Sequence, residues 1–520
     1  QALLSLLRGE PFGRGDSVIV YCTRRRDAER LAALIRTQFQ EIPPRNLHPD
    51  AETSGKTSGK TSGKGKIPGF FSAAAYHAGL SARERRRVQR DFTNGRIRVL
   101  VATAAFGMGL DKSDVRGVVH YDAPRNFESY VQEIGRAGRD GIPARCHLFL
   151  EPEGRDLPEL RRHVYGDSVD FWAVKKLIQR VFAPCKCRET RGKLRDAATV
   201  RSPFPTREKA RICRGHERCV PIRETAEALD IREEGIETLL CYLELHPKNL
   251  LELLPPSDSR CRVRCSGGSR QLREAARSCP PLAVVLARDP SGTSGSMEFD
   301  VVSLSDSMGW ESPWVKRSLR QLQRNSQKGG KNGLLVEFWE FSFRFRAYGD
   351  LSPEELDSAC EFLHGRAFSR EKSQLRQLRR CFRTFRSVAF QKFHPEPPEK
   401  EERERSCRLK ELLREYFQRD PPGSDGSDDD EEEEEGEKNL GTAPPRAEDE
   451  RIRADVRRLL AAHPEEKFSG RAVARIFHGI GSPRFPAWIY GRDRRFWRRH
   501  LPLEFRRLSR LATEEILAWR

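Results

Sequence analysis

Between residues 16 and 150 the sequence alternates short apolar runs with helical patterns, and few folds accept that alternation. Ser17–Tyr21 (SVIVY), Ala73–Tyr76 (AAAY), Ile97–Ala102 (IRVLVA), Gly117–Tyr121 (GVVHY) and Cys146–Leu150 (CHLFL) read as buried parallel strands. One of the intervening helices opens on Ser81-Ala82-Arg83-Glu84, a capping box in which the Ser and Glu side chains satisfy amides of the first turn. Such alternation predicts an α/β sheet whose functional loops leave the carboxyl ends of the strands.

The rest of the chain is too polar to extend that sheet into one large globule. Hydrophobic residues make up 37% of the 520 and charged residues 33%, so three or four folded units joined by solvated stretches are expected. No apolar run approaches the roughly 18 residues that a membrane span needs, so no membrane partner is expected. Position 1 is Gln, with no secretory leader, and the chain is expected to begin inside something longer. Lys and Arg number 95 against 76 Asp and Glu, a net charge of +19 that points to a polyanionic partner, most simply nucleic acid. The thirteen cysteines are irregularly spread, which suits reduced thiols and one metal site rather than a disulfide framework.

Composition divides the chain further. An α/β lobe is expected over 1–152, interrupted at 51–68 by disordered sequence containing three copies of TSGK (Thr53–Lys64). The repeat contains GKT but has no glycine at the spacing of a phosphate-binding P-loop, so it reads as a solvated insertion. A helical, Cys/His-containing segment fills 153–220. Over 221–347 two helix-turn-helix patterns follow, Thr225–Leu229 with Glu233–Leu245 and Val301–Ser307 with Pro313–Leu322. The second runs into Gly333–Arg346, whose alternation suggests a β-hairpin and hence a winged helix. Ser352-Pro353-Glu354-Glu355 then starts a basic helical region over 348–418, with Ser as N-cap and Pro at N1. Residues 419–447 are an acidic disordered linker, and 448–520 an Arg- and aromatic-rich C-terminal domain.

Two constellations carry chemistry. In the block Val101–Gly141, a helix from about Phe127 would put Gln132, Arg136 and Arg139 on one stripe. Arginine forks bind phosphate oxygens bidentately, so this stripe suits a nucleotide; a solvated basic face is the alternative. The other is Cys185-Lys186-Cys187 with Cys213-Arg214-Gly215-His216, four ligands suited to a closed tetrahedral structural Zn2+. Cys219 is the substitute ligand if His216 is not used, and plain thiols without metal are the alternative. Cys261 and Cys265 form a weaker pair.

Residues 17–150 resemble the second RecA-like motor lobe of superfamily 2 DNA helicases of the RecQ family. SVIVYCTRRRDAERLAALI resembles motif IV, AAAYHAGL a short DNA-facing motif, VATAAFGMGLDKSDVR motif V and QEIGRAGRDG motif VI. The resemblance implies Arg136 and Arg139 as catalytic arginines acting on ATP with Mg2+. It places Gln132, Asp111, Gly107 and Gly109 near the nucleotide, and Cys22, Thr23, Arg24, His77 and Thr103 on the DNA backbone. For His77 a neutral core histidine is an equal alternative. Neither a P-loop nor a DE-x-H box occurs in the 520 residues, so this chain is expected to carry one jaw of the ATP clamp and to be inactive alone.

The spacing C-x-C…C-x-x-H, with HLFLEPEGRDLPELRRHV, ETLLCYLELHP and KFSGRAVARIFHGIGSP, further resembles the divergent Rothmund–Thomson-type branch of the family. The expected architecture is therefore multidomain: an α/β RecA-like helicase lobe 2 with a parallel sheet, a zinc-binding helical segment, a winged-helix region and a basic helical C-terminal domain. The winged-helix region is expected to contact duplex DNA or to be structural packing. In the C-terminal domain Arg492, Arg494, Arg495, Arg498 and Arg499 interleave with Phe485, Trp488, Tyr490, Phe496 and Trp497. The arginines are read as DNA contacts and most of the aromatics as core. The resemblance implies 3′→5′ unwinding of single-stranded, forked or branched DNA in repair, recombination and replication, with replication and repair proteins as partners and a nuclear location. A non-catalytic DNA-binding or scaffolding role is the alternative.

Overall fold

The computed structural model describes residues 1–9, 12–14, 16–39, 72–104, 106, 112–151, 156–187, 189, 211–289, 295–328, 333–394, 397–418 and 447–519. The TSGK repeat, the acidic linker and three site candidates, Gly107, Gly109 and Asp111, lie outside the described residues. The chain divides into two compact units, Gln1–Arg161 with Gln374–Ala443, and Arg162–Ser373 with Pro444–Arg520.

The first unit holds the parallel sheet. Its strands are β1 (Ser17–Tyr21), β2 (Ala73–Tyr76), β3 (Val99–Ala102), β4 (Val115–His120) and β5 (Arg145–Leu148), in the order β2-β3-β1-β4-β5. All four pairings are parallel, with Val18 opposite Val99 and Ile19 opposite Val118. Alternate residues serve opposite faces. Val18, Val20, Val99 and Val101 pack with Ala28, Leu31, Ile35 and Phe39 of helix Arg25–Phe39. Ile19, Tyr21, Leu100 and Val118 pack with Val88 and Phe92 of helix Ala82–Thr93. That helix starts at the expected capping box: the Glu84 amide donates to Ser81 Oγ at 3.2 Å and the Ser81 amide to Glu84 Oε2 at 2.9 Å.

A helical pair completes this unit. Helix Pro353–Val388 opens at a Ser352/Glu355 capping box, as its sequence suggests, and from Gln374 onward it belongs to the first unit. With helix Glu399–Gln418 it covers helix Phe127–Ile134, burying Phe127, Tyr130, Cys381, Phe385 and Leu413 in one cluster. Phe385 meets the Phe127 and Tyr130 rings edge-on at 5.5 and 4.9 Å, and Tyr416 donates to Glu128 at 2.9 Å. The stretch read as one basic region over 348–418 is thus shared between two compact units, because a continuous 36-residue helix crosses their boundary.

The second unit is built on an antiparallel sheet, β6 (His216–Pro221), β7 (Leu251–Cys265), β8 (Ser296–Asp300) and β9 (Leu334–Ala347), ordered β6-β9-β7-β8. The expected hairpin over Gly333–Arg346 is not formed. The segment is the single 14-residue strand β9, and it pairs with two distant strands, β7 and β6, rather than with itself. The alternation was real, but nothing between Leu334 and Arg346 can turn the chain: there is no Gly, Pro or Asn. The β7–β9 ladder shifts register between Leu254 and Ser257, where Pro255 and Pro256 have no amide to donate.

Both helix-turn-helix pairs pack on this sheet, as Ile222–Leu229 with Glu233–Glu244 and as Val301–Met308 with Ser312–Lys328. The first pair shares a core with helix Phe171–Val181 and with Phe343 and Phe345 of β9; the second shares another with Cys261, Val263 and Val336. The C-terminal helices Ala447–Ala462, Gly470–His478 and Phe505–Trp519 belong to the same unit. All nine residues of Gly470–His478 are buried. A side chain at Gly470 would meet Ser509 O at 2.3 Å and Thr513 Oγ1 at 2.0 Å, so glycine is what lets two of these helices touch. Among the described residues no helix is long and apolar enough to cross a membrane.

Candidate functional site

Because the sheet of the first unit is parallel, the residues that follow β1, β2, β3 and β4 emerge at one edge. Thr23, His77, Thr103 and Asp122 do so. Thr23 is held there by Asp122, whose Oδ2 accepts its amide at 2.7 Å and its hydroxyl at 2.9 Å. Arg24 is half-exposed and ion-pairs with Glu159. Thr103 is buried, with its amide on Tyr76 O at 3.2 Å.

Cys22 does not suit the DNA contact expected of it. Its side chain lies in the core at 5% exposure, its amide donates to Ala102 O at 2.9 Å, and burial pushes the thiol up to about 12. It completes the apolar end of β1 and offers neither a surface nor a charge. His77 is 3% exposed, with Nε2 3.1 Å from Glu29 Oε1.

The predicted stripe of Gln132, Arg136 and Arg139 is not formed. The helix runs Phe127–Ile134, capped by Asn126, whose Oδ1 accepts the Ser129 amide at 2.8 Å, and it stops at Gly135. Gly138 has a φ of +67°, and its amide donates to Val115 O at 3.0 Å. Two glycines in four residues end the helix and fold the following turn against the start of β4. The consequence is a division between the arginines. Gln132 and Arg139 are exposed, whereas Arg136 is only 7% exposed.

What surrounds Arg136 was not read from the sequence. His120, at the end of β4, bonds Glu133 through Nε2 at 2.7 Å, and its ring stacks on Tyr21 at 5.5 Å. Burial pushes the Tyr21 phenol strongly up, and the positive charge of Arg136 opposes that push. The buried Tyr21 phenol therefore borders the guanidinium, and the buried His120–Glu133 pair lies beside that phenol. The one sequence signal was that polar Tyr21 and His120 end otherwise apolar strands.

The second unit gathers the other constellation. One ligand atom from each of Cys185, Cys187, Cys213 and His216 lies within 4.8 Å of the others. Zn–S bonds of about 2.3 Å and Zn–N bonds of about 2.0 Å fit a tetrahedron inside that spread. The surroundings suit thiolates: the Gly215 and Gly349 amides donate to Cys213 Sγ at 3.4 and 3.5 Å. The Cys185 amide donates to Gly349 O at 2.9 Å, and a Cβ on Gly349 would meet Cys185 Cβ at 2.6 Å, so the loop closes tightly over the centre. Cys219, the reserve ligand, lies outside the cluster on β6, while Cys261 and Cys265 are core residues of β7.

Of the C-terminal arginines, Arg492, Arg494, Arg495 and Arg499 are exposed, while Arg498 is partly buried at a φ of +66°. Phe485, Tyr490 and Phe496 are core, whereas Trp488 is 69% exposed. The strongest feature of this segment lies elsewhere, in two arginines that were not singled out. Arg471 donates to Ser168 O at 3.1 Å and Leu229 O at 2.7 Å. Arg475 donates to Gly166 O, Ser168 O and Asp230 O at 3.1, 2.8 and 2.7 Å.

A parallel five-stranded lobe with these motif loops defines the second motor lobe of helicases. The family model described as Helicase conserved C-terminal domain matches residues 60–141. The chain is similar to ATP-dependent DNA helicases of the RecQ family. It is 50% identical over 99% of its length to ATP-dependent DNA helicase Q4 of Homo sapiens and 47% identical over 99% to that of Mus musculus. ATP-dependent DNA helicase RecQ of Haemophilus influenzae is 44% identical over 27% of the chain and 17% of its own length. The chain spans 43% of the human relative and 42% of the mouse one.

Proposed function

We propose that this chain is the C-terminal part of an ATP-dependent 3′→5′ DNA helicase and that its first unit completes an ATP site whose phosphates and Mg2+ are gripped by a P-loop lobe. Arg136 and Arg139 act on the transferring γ-phosphoryl, where a delivered guanidinium stabilises the developing charge. Thr23 and Thr103, on the carboxyl edge of the sheet, contact the backbone of single-stranded DNA. The Cys/His centre holds a structural zinc that fastens the start of β6, and the helix-turn-helix pairs and the C-terminal arginines face forked or branched DNA. Repair, recombination and replication in the nucleus, with proteins of those processes as partners, is the setting this activity serves.

The observation that supports the reading most directly is the motif VI turn. It sets one exposed and one buried arginine three residues apart, in a chain that aligns with DNA helicases over 99% of its length. The test joins the chain to the P-loop lobe of a RecQ relative and measures DNA-stimulated ATP hydrolysis. Arg136→Ala and Arg139→Ala are each expected to lower kcat by about 10³-fold or more, with DNA affinity retained. Wild-type turnover in both variants refutes the assignment.

A further inference from the structure

We infer that Asp306 is an outer-sphere partner of the Cys/His centre and that its carboxylate makes the order of the second helix-turn-helix depend on the metal. The inference rests on reading Cys185, Cys187, Cys213 and His216 as a metal centre.

Asp306 lies on helix Val301–Met308, ninety residues beyond His216. Its Oδ2 is 2.7 Å from His216 Nδ1, and its Oδ1 accepts the Glu217 amide at 2.9 Å. An ionised carboxylate can only accept, so Nδ1 carries the proton. In the neutral ring the lone pair is then on Nε2, which sits 3.2 Å from Cys187 Sγ inside the ligand cluster. Asp306 therefore selects the tautomer and the ring orientation that a metal requires of His216. Metal-ligating histidines commonly need such a partner.

Glu217, next to His216 on β6, also holds the other helix of the pair. Glu217 Oε1 accepts from Ser312 Oγ at 2.6 Å and from Arg344 Nη1 at 3.0 Å. Ser312 is fully buried and begins helix Ser312–Lys328. Both helices are thus fastened to His216-Glu217, and His216 is fastened by the metal. Loss of the metal frees the imidazole to turn or change tautomer, and Asp306 then keeps only the Glu217 amide. A purely structural Asp306, tying a helix to a strand, would give no such dependence.

The test uses the whole chain with Zn2+ as the probe. Metal retention is followed by competition with a chromogenic chelator, and backbone hydrogen exchange is followed in helix Val301–Met308. Asp306→Ala is expected to weaken zinc retention by about 10–100-fold. Asp306→Asn, whose single amide oxygen can serve the imidazole or the Glu217 amide but not both in full, is expected to fall between. Chelation of the wild type is expected to speed exchange in Val301–Met308, and in Asp306→Ala exchange there should be fast with or without zinc. Wild-type competition curves for both variants, or exchange in that helix indifferent to chelation, overturns the inference. If Asp306→Ala does not fold, Asp306→Asn carries the comparison. A wild-type chain that binds no zinc overturns the metal centre itself, a result distinct from wild-type retention in the variants.

Discussion

Replacing Arg475 should destabilise the second unit more than removing any of the exposed C-terminal arginines. The Arg475 side chain is 3% exposed. Nη1 donates to Asp230 O at 2.7 Å and Oδ2 at 3.3 Å, and Nη2 donates to Gly166 O at 3.1 Å and Ser168 O at 2.8 Å. Burial pushes the guanidinium down to about 9, which leaves it charged at neutral pH. Arg475→Ala leaves three carbonyls and a buried carboxylate without this donor. Removing one partner of a buried pair costs about 3–5 kcal/mol. For a unit of this size that corresponds to a fall in Tm of roughly 10 °C. Denaturant unfolding of the whole chain, followed by a probe in the second unit, measures it. Arg475→Lys keeps the charge but loses the fork, so it should be intermediate. Arg494→Ala, on the surface, should stay within about 0.5 kcal/mol. A shift below about 1 kcal/mol for Arg475→Ala would refute the docking of helix Gly470–His478 against residues 166–230. The expected result also means that truncation before residue 470 removes a structural clamp, so lost activity in such a truncation reports folding before it reports DNA contact.

Three further outcomes follow from the same geometry. Phe385 is 3% exposed against Phe127 and Tyr130, so Phe385→Ala should cost the first unit about 3–5 kcal/mol of unfolding free energy; a loss under 1 kcal/mol contradicts the packing of the helical pair on the motif VI helix. Burial beside Phe149 and Phe393 lowers His147 to about 4 from an ordinary 6.5. Its neutral form is favoured on folding, so the stability it contributes is complete above pH 6.5 and is lost as pH falls toward 4. His147→Phe should flatten that acid-side decline in an unfolding titration, and an unchanged decline counts against it. Changing Arg492, Arg494, Arg495 and Arg499 together to Ala should reduce the slope of log affinity for single-stranded DNA against log salt by about 3, from roughly 0.7 per phosphate contact. An unaltered slope means that these arginines do not touch phosphate.

The parallel lobe was legible in the sequence because its determinants are local. Val18, Ile19 and Val20 are buried on both faces, so the strand appears as an unbroken apolar run, and a Ser81/Glu84 box marks its helix start without reference to any distant residue. The Cys/His centre was legible for a related reason: only a few residue types bind zinc, and their spacing within each half survives on the page. The five-strand order and the pairing of β9 with β7 were not. Each depends on which segments meet across many tens of residues, and an alternating apolar pattern such as that of β9 states that a strand exists without naming its partner.

The arginines show the same division most sharply. Composition shows an excess of positive charge, which suggests a polyanionic partner, and the resemblance to motif VI pointed to Arg136 and Arg139. A guanidinium looks alike in a sequence whether it faces water or carbonyls. Only the tertiary structure separates exposed Arg139 and Arg494 from Arg136, buried against Tyr21, and from Arg475, spent on the backbone of residues 166–230. Burial and partners decide what a charge does, and both are properties of the folded chain.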